Sequence, residues 1–196
     1  MKSAIISLLL IAVTFSVGNA FGQTEQWAGN CDITFSGSST LHKFKGTVKA
    51  EPFIISISDL IDKAQANATG KVIVTASKMD TGNKKRDANM DNSMATKTFP
   101  EIAVDIGKLN AAATRPVTSG EILRPTVVPF TMNLKGKKQQ KVGKVSDWSY
   151  SDGNISFTVT FPVSLKASGI TVPSVLGIVK VADVIQVSAK LNLKRK

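Results

Sequence analysis

The chain has 196 residues, one cysteine, one histidine and a formal net charge of +11 at pH 7. A single cysteine excludes an internal disulfide, and the histidine and cysteine content offers no cluster with the ligand spacing of a zinc site. The length suits one domain with a sizeable core, and there is no internal repeat or low-complexity tract.

The N-terminus predicts a secretory signal peptide. Lys2 precedes a mostly apolar run over residues 4–17, and Gly18-Asn19-Ala20 is a small-x-small cleavage site. The run is short for a transmembrane span, although a retained membrane anchor is the alternative. We therefore predict a leader over residues 1–20, one folded domain over residues 21–196, and a periplasmic or secreted location.

Beyond the leader, apolar and polar residues alternate in several segments. In the first segment Cys31, Ile33 and Phe35 share one face, and we interpret Cys31 as a small buried hydrophobe rather than a reactive thiol. Similar alternation occurs over residues 43–50, 102–106, 130–135, 156–165 and 185–194. This pattern is typical of antiparallel strands with one face in water, and we count roughly eight of them.

Residues 72–104 predict a strand, a turn, a short helix and a second strand. Val72 to Met79 is β-rich and apolar, and Asp80-Thr81-Gly82-Asn83 after it favours a turn. Lys84 to Met94 has helical spacing of its methionines, with Asn83 as the N-cap. Phe99-Pro100 ends the irregular part, because the residue before a proline avoids helical geometry.

The remaining connections are of two kinds. Residues 59–68 predict a short helix or a long loop. Residues 111–129, with Pro116, Pro125 and Pro129, are expected to wrap the rim of the sheet. Asp152-Gly153-Asn154 predicts a tight hairpin turn.

The segment from Asp80 to Pro100 resembles the YceI-like family, whose members share Asp-Thr-Gly-Asn, then Arg-Asp, a short helix, and Phe-Pro before a strand. The matching residues here are Asp80-Thr81-Gly82-Asn83, Arg86-Asp87 and Phe99-Pro100. Residues 37–46 resemble the first hairpin of a family branch and residues 164–193 the family's end, so the resemblance spans Cys31 to Leu193. At Leu134-Lys135-Gly136-Lys137 a lysine replaces the histidine that often precedes glycine in the family.

The resemblance implies a fold and a ligand. Eight one-sided antiparallel strands can form a sandwich or a barrel just wide enough for a ligand. The resemblance implies the second: an all-β chain with a single antiparallel, lipocalin-like β-barrel of about eight strands and one short helix. Known members bind long isoprenoid-type lipids inside the barrel, which implies an apolar isoprenoid- or quinone-like ligand here.

Alternation selects most of the residues that we expect to point inward and to line the ligand cavity. Met94 is added because the family's helix covers one barrel end, and Leu176 because of the family's closing segment. Met and Phe side chains suit a pocket for flexible apolar chains, although an ordinary packed core is the bland alternative. The predicted cavity-lining residues are Phe35, Phe44, Met79, Met94, Phe99, Phe130, Met132, Phe157, Phe161 and Leu176.

Three patterns hint at other chemistry, and none is complete. Residues 87–98 mimic the start of a calcium loop, but glycine is missing at the sixth place and glutamate at the twelfth. The sequence contains no nucleophile-elbow motif for which His42 could act as the base, so we expect His42 to make structural hydrogen bonds. Asp80-Thr81-Gly82 after a strand resembles an aspartic-protease motif, which needs two carboxylates and hence a homodimer.

Basic residues crowd one segment between Lys135 and Lys144, and Lys194-Arg195-Lys196 ends the chain. The interpretations are a solvated cationic surface, or attraction to an anionic membrane surface or ligand head. Nucleic acid is disfavoured, because the chain is expected to be exported and no aromatic residues interleave the basic cluster.

We thus predict an exported, non-enzymatic carrier of an apolar small molecule, with no metal and no cofactor. The runner-up is a cationic structural or stress-related protein with a packed barrel and no ligand. An aspartic-type hydrolase using Asp80 is the remote alternative.

Overall fold

The structure, a computed structural model, describes residues 24–59, 65–111, 122–171, 174–175 and 179–196. The predicted leader over residues 1–20 lies outside them. The elements are β1 (Glu25–Ser38), β2 (Lys43–Lys49), β3 (Phe53–Ser58), β4 (Gln65–Thr75), α1 (Lys84–Met94), β5 (Glu101–Ile106), β6 (Leu109–Ala111), β7 (Pro125–Leu134), β8 (Lys137–Ser151), β9 (Asn154–Ser164), β10 (Ser174–Val175), β11 (Val179–Lys180) and β12 (Val184–Arg195). A short 3-10 helix spans Ala76–Lys78.

The main strands close into an eight-stranded antiparallel barrel. Neighbours run β1, β3, β4, β5, β7, β8, β9 and β12, and β12 pairs back onto β1 from Trp27↔Arg195 to Ser36↔Gln186. β2 extends the wall beside the second half of β1, and β6 bridges β4 and β7. The predicted all-β, lipocalin-like barrel is therefore confirmed. Among the described helices, none is long and apolar enough to cross a membrane.

One face of every main strand supplies the core. On β1 the buried residues Trp27, Cys31 and Phe35 alternate with more exposed neighbours. The β12 partners of Cys31 and Phe35 are the apolar Leu191 and Val187, whereas Trp27 lies opposite Arg195. The Cys31 side chain is 5% exposed, and its burial raises the pKa of the thiol to about 12. The interpretation of Cys31 as a buried hydrophobe is confirmed.

Local signals specify the helix and the tight hairpin. α1 has the predicted bounds, and the Asn83 side chain accepts a hydrogen bond from the Arg86 backbone N–H at 3.0 Å. Ala95 ends the helix in the left-handed region with φ 52°. At the β8–β9 turn, Asp152 and Gly153 both have positive φ, as a two-residue hairpin turn of the I′ type requires.

Three sequence-based boundaries are wrong. Residues 65–68 begin β4, whereas a helix or loop was expected over residues 59–68. The strand expected to reach Met79 ends at Thr75, where the 3-10 helix replaces it. Pro125 and Pro129 belong to β7 and not to a rim loop. Pro125 starts the strand, and Pro129 lies where β7 changes partner from β6 to β5, positions at which a missing N–H is tolerated.

Candidate functional site

The barrel interior contains an apolar cavity of about 40 Å³. Its lining residues are Ile55, Ile57, Ala68, Ile106, Leu109, Val128, Trp148, Ile155, Phe157, Val159, Leu191 and Leu193. Ile55 and Ile57 pair with Trp27 and Glu25 at the start of β1, so the cavity lies toward that end of the barrel. No lining side chain carries a charge, which makes the cavity suited to hydrocarbon.

The cavity is small. An engineered apolar cavity of about 150 Å³ in another protein holds one benzene molecule, so 40 Å³ is too little for even one ring of that size. Aromatic side chains fill much of the remaining interior. The rings of Phe130 and Phe161 meet edge to face with centroids 4.8 Å apart, and those of Trp148 and Phe157 lie 5.4 Å apart.

Most of the predicted cavity-lining residues lie in or against the core, but few touch the cavity. Phe35, Met94, Phe130, Met132 and Phe157 are buried, and of these only Phe157 lines it. Met79 and Phe161 are partly buried and pack against the core cluster. Leu176 lies outside the described residues.

Phe44 and Phe99 lie at the end of the barrel where α1 packs. Phe44 shares the inward face with its partner Gly37, is half-buried, and carries the Arg86 guanidinium 5.4 Å above its ring. Phe99 is 36% exposed and does not belong to the core cluster, so its predicted place in the interior is wrong. Its backbone N–H donates to the Ala95 carbonyl in the turn after α1, and its ring lies beside Gly136 of the β7–β8 hairpin.

Eleven of the twelve cavity-lining residues are absent from the predicted set, and they come from all the main strands except β1. Ile55 and Ile57 of β3 alternate with exposed or polar neighbours, so their pattern was available in the sequence. Ala68 and Leu109 were hidden, because small side chains and a three-residue strand give weak periodicity.

The shared Asp80–Asp87 motif fixes α1 to the barrel. The Asp80 carboxylate accepts the Gly82 backbone N–H at 2.7 Å, and the Asp80 backbone pairs with Thr47 of β2. The Asp87 carboxylate accepts both the backbone N–H and the hydroxyl of Thr81, at 3.0 and 2.6 Å. These bonds show that Asp80 and Asp87 stabilise the turn before α1. The contacts of Asp80 are those of a turn residue and not of a pair of catalytic carboxylates.

Further polar contacts close the same end of the barrel. Lys135 Nζ donates to the carbonyl oxygens of Ser93 in α1 and Gly169, at 2.9 and 3.0 Å. Asp183 accepts from the Lys166 backbone N–H and the Ser164 hydroxyl, and these bonds hold the pKa of its carboxyl below the usual range. This end is therefore tied together by loop, hairpin and helix.

No group of three His, Cys, Asp or Glu side chains among the described residues is arranged to hold a metal ion. His42 is exposed, and its backbone N–H and carbonyl both bond the Ser39 hydroxyl, as a turn residue would. The apolar interior is thus the best candidate site.

Comparison with known proteins identifies the family and supports the fold. A model of the YceI-like domain family matches residues 13–193. The fold is similar to Burkholderia cenocepacia BcnA, with a TM-score of 0.62, 16% identity, and coverage of 83% of this chain and 95% of that one. A polyisoprenoid binding domain from Saccharophagus degradans, implicated in plant cell wall breakdown, gives a TM-score of 0.55 at 13% identity, over 87% of this chain and 98% of that one. The chain has no significant match among curated proteins. On the family match, which covers nearly the whole chain, this protein belongs to the YceI-like family.

Proposed function

We propose that this protein binds a long apolar molecule of isoprenoid or quinone type inside its barrel and carries it without chemical change. The observation that carries the proposal is the cluster of buried apolar residues inside the barrel, which encloses a cavity without a charged lining residue. The family match and the structural relative named as a polyisoprenoid binding domain support the same ligand class.

The physical reason is the burial of hydrocarbon. Removing apolar surface from water is favourable by roughly 25 cal/mol per Å², and a closed barrel offers that burial without exposing a strand edge. A long isoprenoid chain therefore gains more than a small apolar ligand from the same wall.

The cavity size sets a condition on this proposal. Because about 40 Å³ is far less than an isoprenoid chain needs, uptake requires side chains of the interior to move aside. Met94 and Met132 are buried there, and Met79 and Met90 pack against the core. Unbranched methionine side chains adapt at low cost, so they are the expected places of rearrangement.

The small cavity also favours the second candidate, a cationic structural protein whose barrel is packed and takes no ligand. Equilibrium binding of a fluorescent polyprenyl or quinone probe separates the two. Saturable binding with one site per chain supports the carrier. A folded protein that takes up neither probe, at concentrations where a lipid-binding control protein is saturated, supports the packed barrel.

We also propose that the protein is exported, because residues 1–20 have the pattern of a signal peptide. We expect the exported protein to start at Phe21, or at Gln23 if cleavage follows Gly22, and N-terminal sequencing decides between them. Recovery of intact Met1 in a membrane fraction would contradict a freely diffusing periplasmic or secreted carrier.

The exposed lysines Lys138 and Lys144 of β8 would favour contact with an anionic membrane surface during loading. A homodimer stays a prediction, as does the absence of catalysis.

A further inference from the structure

The β1–β2 hairpin exposes an apolar side chain at its tip. Leu41 is 70% exposed, which makes it the most exposed of the large apolar side chains that the structure describes. The Ser39 hydroxyl accepts the backbone N–H groups of Leu41 and His42, at 3.4 and 3.2 Å, so the tip has a defined turn. Turns favour small polar residues, and local structure therefore gives no reason for a leucine at this position.

Two exposed cations follow the tip on β2. Lys43 and Lys45 lie on the outward face of the strand, because Phe44 between them faces inward. Neither lysine forms an ion pair with a described carboxylate, whereas the Lys49 ammonium on the same face lies 3.5 Å from the Asp32 carboxylate. The two charges beside the tip are therefore available to an anionic surface.

The start of α1 adds cations to the same end of the barrel. The Arg86 guanidinium lies 5.4 Å from the centre of the Phe44 ring, which places the first turn of the helix beside the start of β2. Lys84 and Lys85 precede Arg86, and both are exposed without an ion pair to a described carboxylate. Cations at a helix N-terminus oppose the helix dipole, so these lysines lower the stability of α1. An anionic surface in front of them would offset that cost.

Carboxylates are used differently at the two ends of the barrel. Beside α1, the Asp80 and Asp87 carboxylates accept hydrogen bonds within the turn before the helix, and neither pairs with a described lysine. At the other end, Glu25 forms an ion pair with Arg195 at 3.6 Å, and Asp152 is exposed in the β8–β9 turn. The hairpin end therefore presents unpaired cations, whereas the charges of the other end are mixed.

We propose that residues 39–45 and 84–86 form a docking face for a membrane surface that contains anionic lipid. Leu41 enters the acyl boundary of the bilayer, and the lysines beside it contact lipid phosphates. A bilayer is favoured over a protein partner because the apolar part is one leucine surrounded by cations, whereas a stable protein interface has a broader apolar core. The docking face needs no ligand in the barrel, so it goes beyond the carrier function and gives the membrane contact a defined place.

The test is co-sedimentation of the exported protein with vesicles, made either of phosphatidylglycerol and phosphatidylcholine in equal parts or of phosphatidylcholine alone. Leu41→Asn removes the apolar tip with a residue that suits a turn. Its control is Val142→Thr, because Val142 is 59% exposed on the wall of β8 and threonine retains the strand preference.

A second pair of variants tests the charges. Lys84→Gln with Lys85→Gln removes two cations from the docking face. The control is Lys194→Gln with Lys196→Gln, which removes two exposed cations from the opposite end and leaves the same net charge. Removing Lys84 and Lys85 should not unfold α1, because their charges oppose the helix dipole.

We expect binding to the anionic vesicles to exceed binding to phosphatidylcholine by about 10-fold or more, and to fall steeply when the salt is raised to about 0.5 M. Leu41→Asn should weaken binding to anionic vesicles about 10-fold, the loss of one buried leucine side chain. The Lys84 and Lys85 double variant should weaken it by a similar factor, at about 5-fold per lysine. Each control should change it by less than about 3-fold.

Absence of binding to the anionic vesicles, or equal losses in the test and control variants, would overturn the docking face. Normal binding by Leu41→Asn, together with competition by polyglutamate, would assign the basic surface to an acidic protein partner instead. The carrier function is tested separately, because uptake of a polyprenyl probe in solution should be the same in Leu41→Asn and the unsubstituted protein. Failure of probe uptake with variant-dependent vesicle binding would reject the carrier and retain the docking face.

Discussion

Replacing Ala68 by valine should fill the cavity, stabilise the ligand-free barrel and weaken its uptake of an apolar probe. Ala68 is 5% exposed and lines the cavity opposite Ile57. A cavity costs about 24 cal/mol per Å³, so one of about 40 Å³ costs about 1 kcal/mol. Two added methyl groups that enter this space should therefore raise the free energy of unfolding by up to about 1 kcal/mol.

Ala189→Val is the matched control. Ala189 is also buried on the inward face of a barrel strand, between Ile33 and Val159, but it does not line the cavity. Both variants gain the same strand preference for valine, so only the available space differs. We expect Ala189→Val to lower the free energy of unfolding by roughly 1–3 kcal/mol through overpacking.

Urea unfolding followed by tryptophan fluorescence measures both variants, and titration with a polyprenyl probe measures uptake. Ala68→Val should show a higher urea midpoint with weaker probe binding. If Ala68→Val destabilises the protein as much as Ala189→Val does, the space beside Ala68 is not available and the reasoning fails. If Ala68→Val is stabilised but binds the probe normally, the cavity is real but is not where the chain binds.

Three further outcomes follow from the geometry. Asp87→Ala should lower the free energy of unfolding by roughly 1.5–3 kcal/mol, because the Thr81 N–H and hydroxyl lose a charged acceptor. Asn89→Ala on the exposed face of α1 should change the free energy of unfolding little. Chemical denaturation measures both variants, and equal effects would contradict the role of Asp87. Cys31 should resist alkylation at pH 8 in the folded state and react on unfolding, because its thiol pKa is raised to about 12 and the side chain is buried, and mass spectrometry showing rapid labelling of native protein would refute this. The Asp183 carboxyl has a lowered pKa in the folded state, so its stabilising effect is present above the ordinary aspartate pKa and is lost as the pH falls through the lowered value. The urea midpoint of Asp183→Asn should therefore fall less steeply on acidification than that of the unsubstituted protein. Parallel curves of midpoint against pH would show that the ionisation of Asp183 is not linked to folding.

The elements that could be predicted from the sequence are those with local causes. The bounds of α1 follow from the Asn83 cap and the spacing of Met90 and Met94, and the β8–β9 turn follows from Asp152-Gly153. Both signals act within a few residues, so no tertiary information was needed. The inward face of a strand with large apolar side chains, such as Phe157 and Val159 on β9, could also be predicted from the alternation of the sequence.

The start of β4 could not be predicted, because the positions that face inward there carry Ala66, Ala68 and Gly70. Those residues are small since Ile55 and Ile57 of the neighbouring strand occupy the same space. An apolar periodicity built from small side chains is weak, and the complementary bulk lies on another strand.

The candidate site was predicted less well than the fold. Alternation identifies the inward face of a strand but not its height along the barrel, which depends on the stagger of all eight strands. Alternation therefore selects Phe35, Phe130 and Met132, which pack the core, and misses Ile57 and Leu109 beside the cavity. Phe99 was misplaced because it belongs to the turn after α1, where its ring lies beside Gly136 and is not part of the core.

Native mass spectrometry of the protein purified from its own host, before and after extraction with organic solvent, tests the central claim most directly. The carrier function predicts a bound isoprenoid- or quinone-type lipid, seen as a mass increment that extraction removes and added lipid restores. Recovery of only the ligand-free mass, from a folded protein that then takes up none of these lipids, would contradict it.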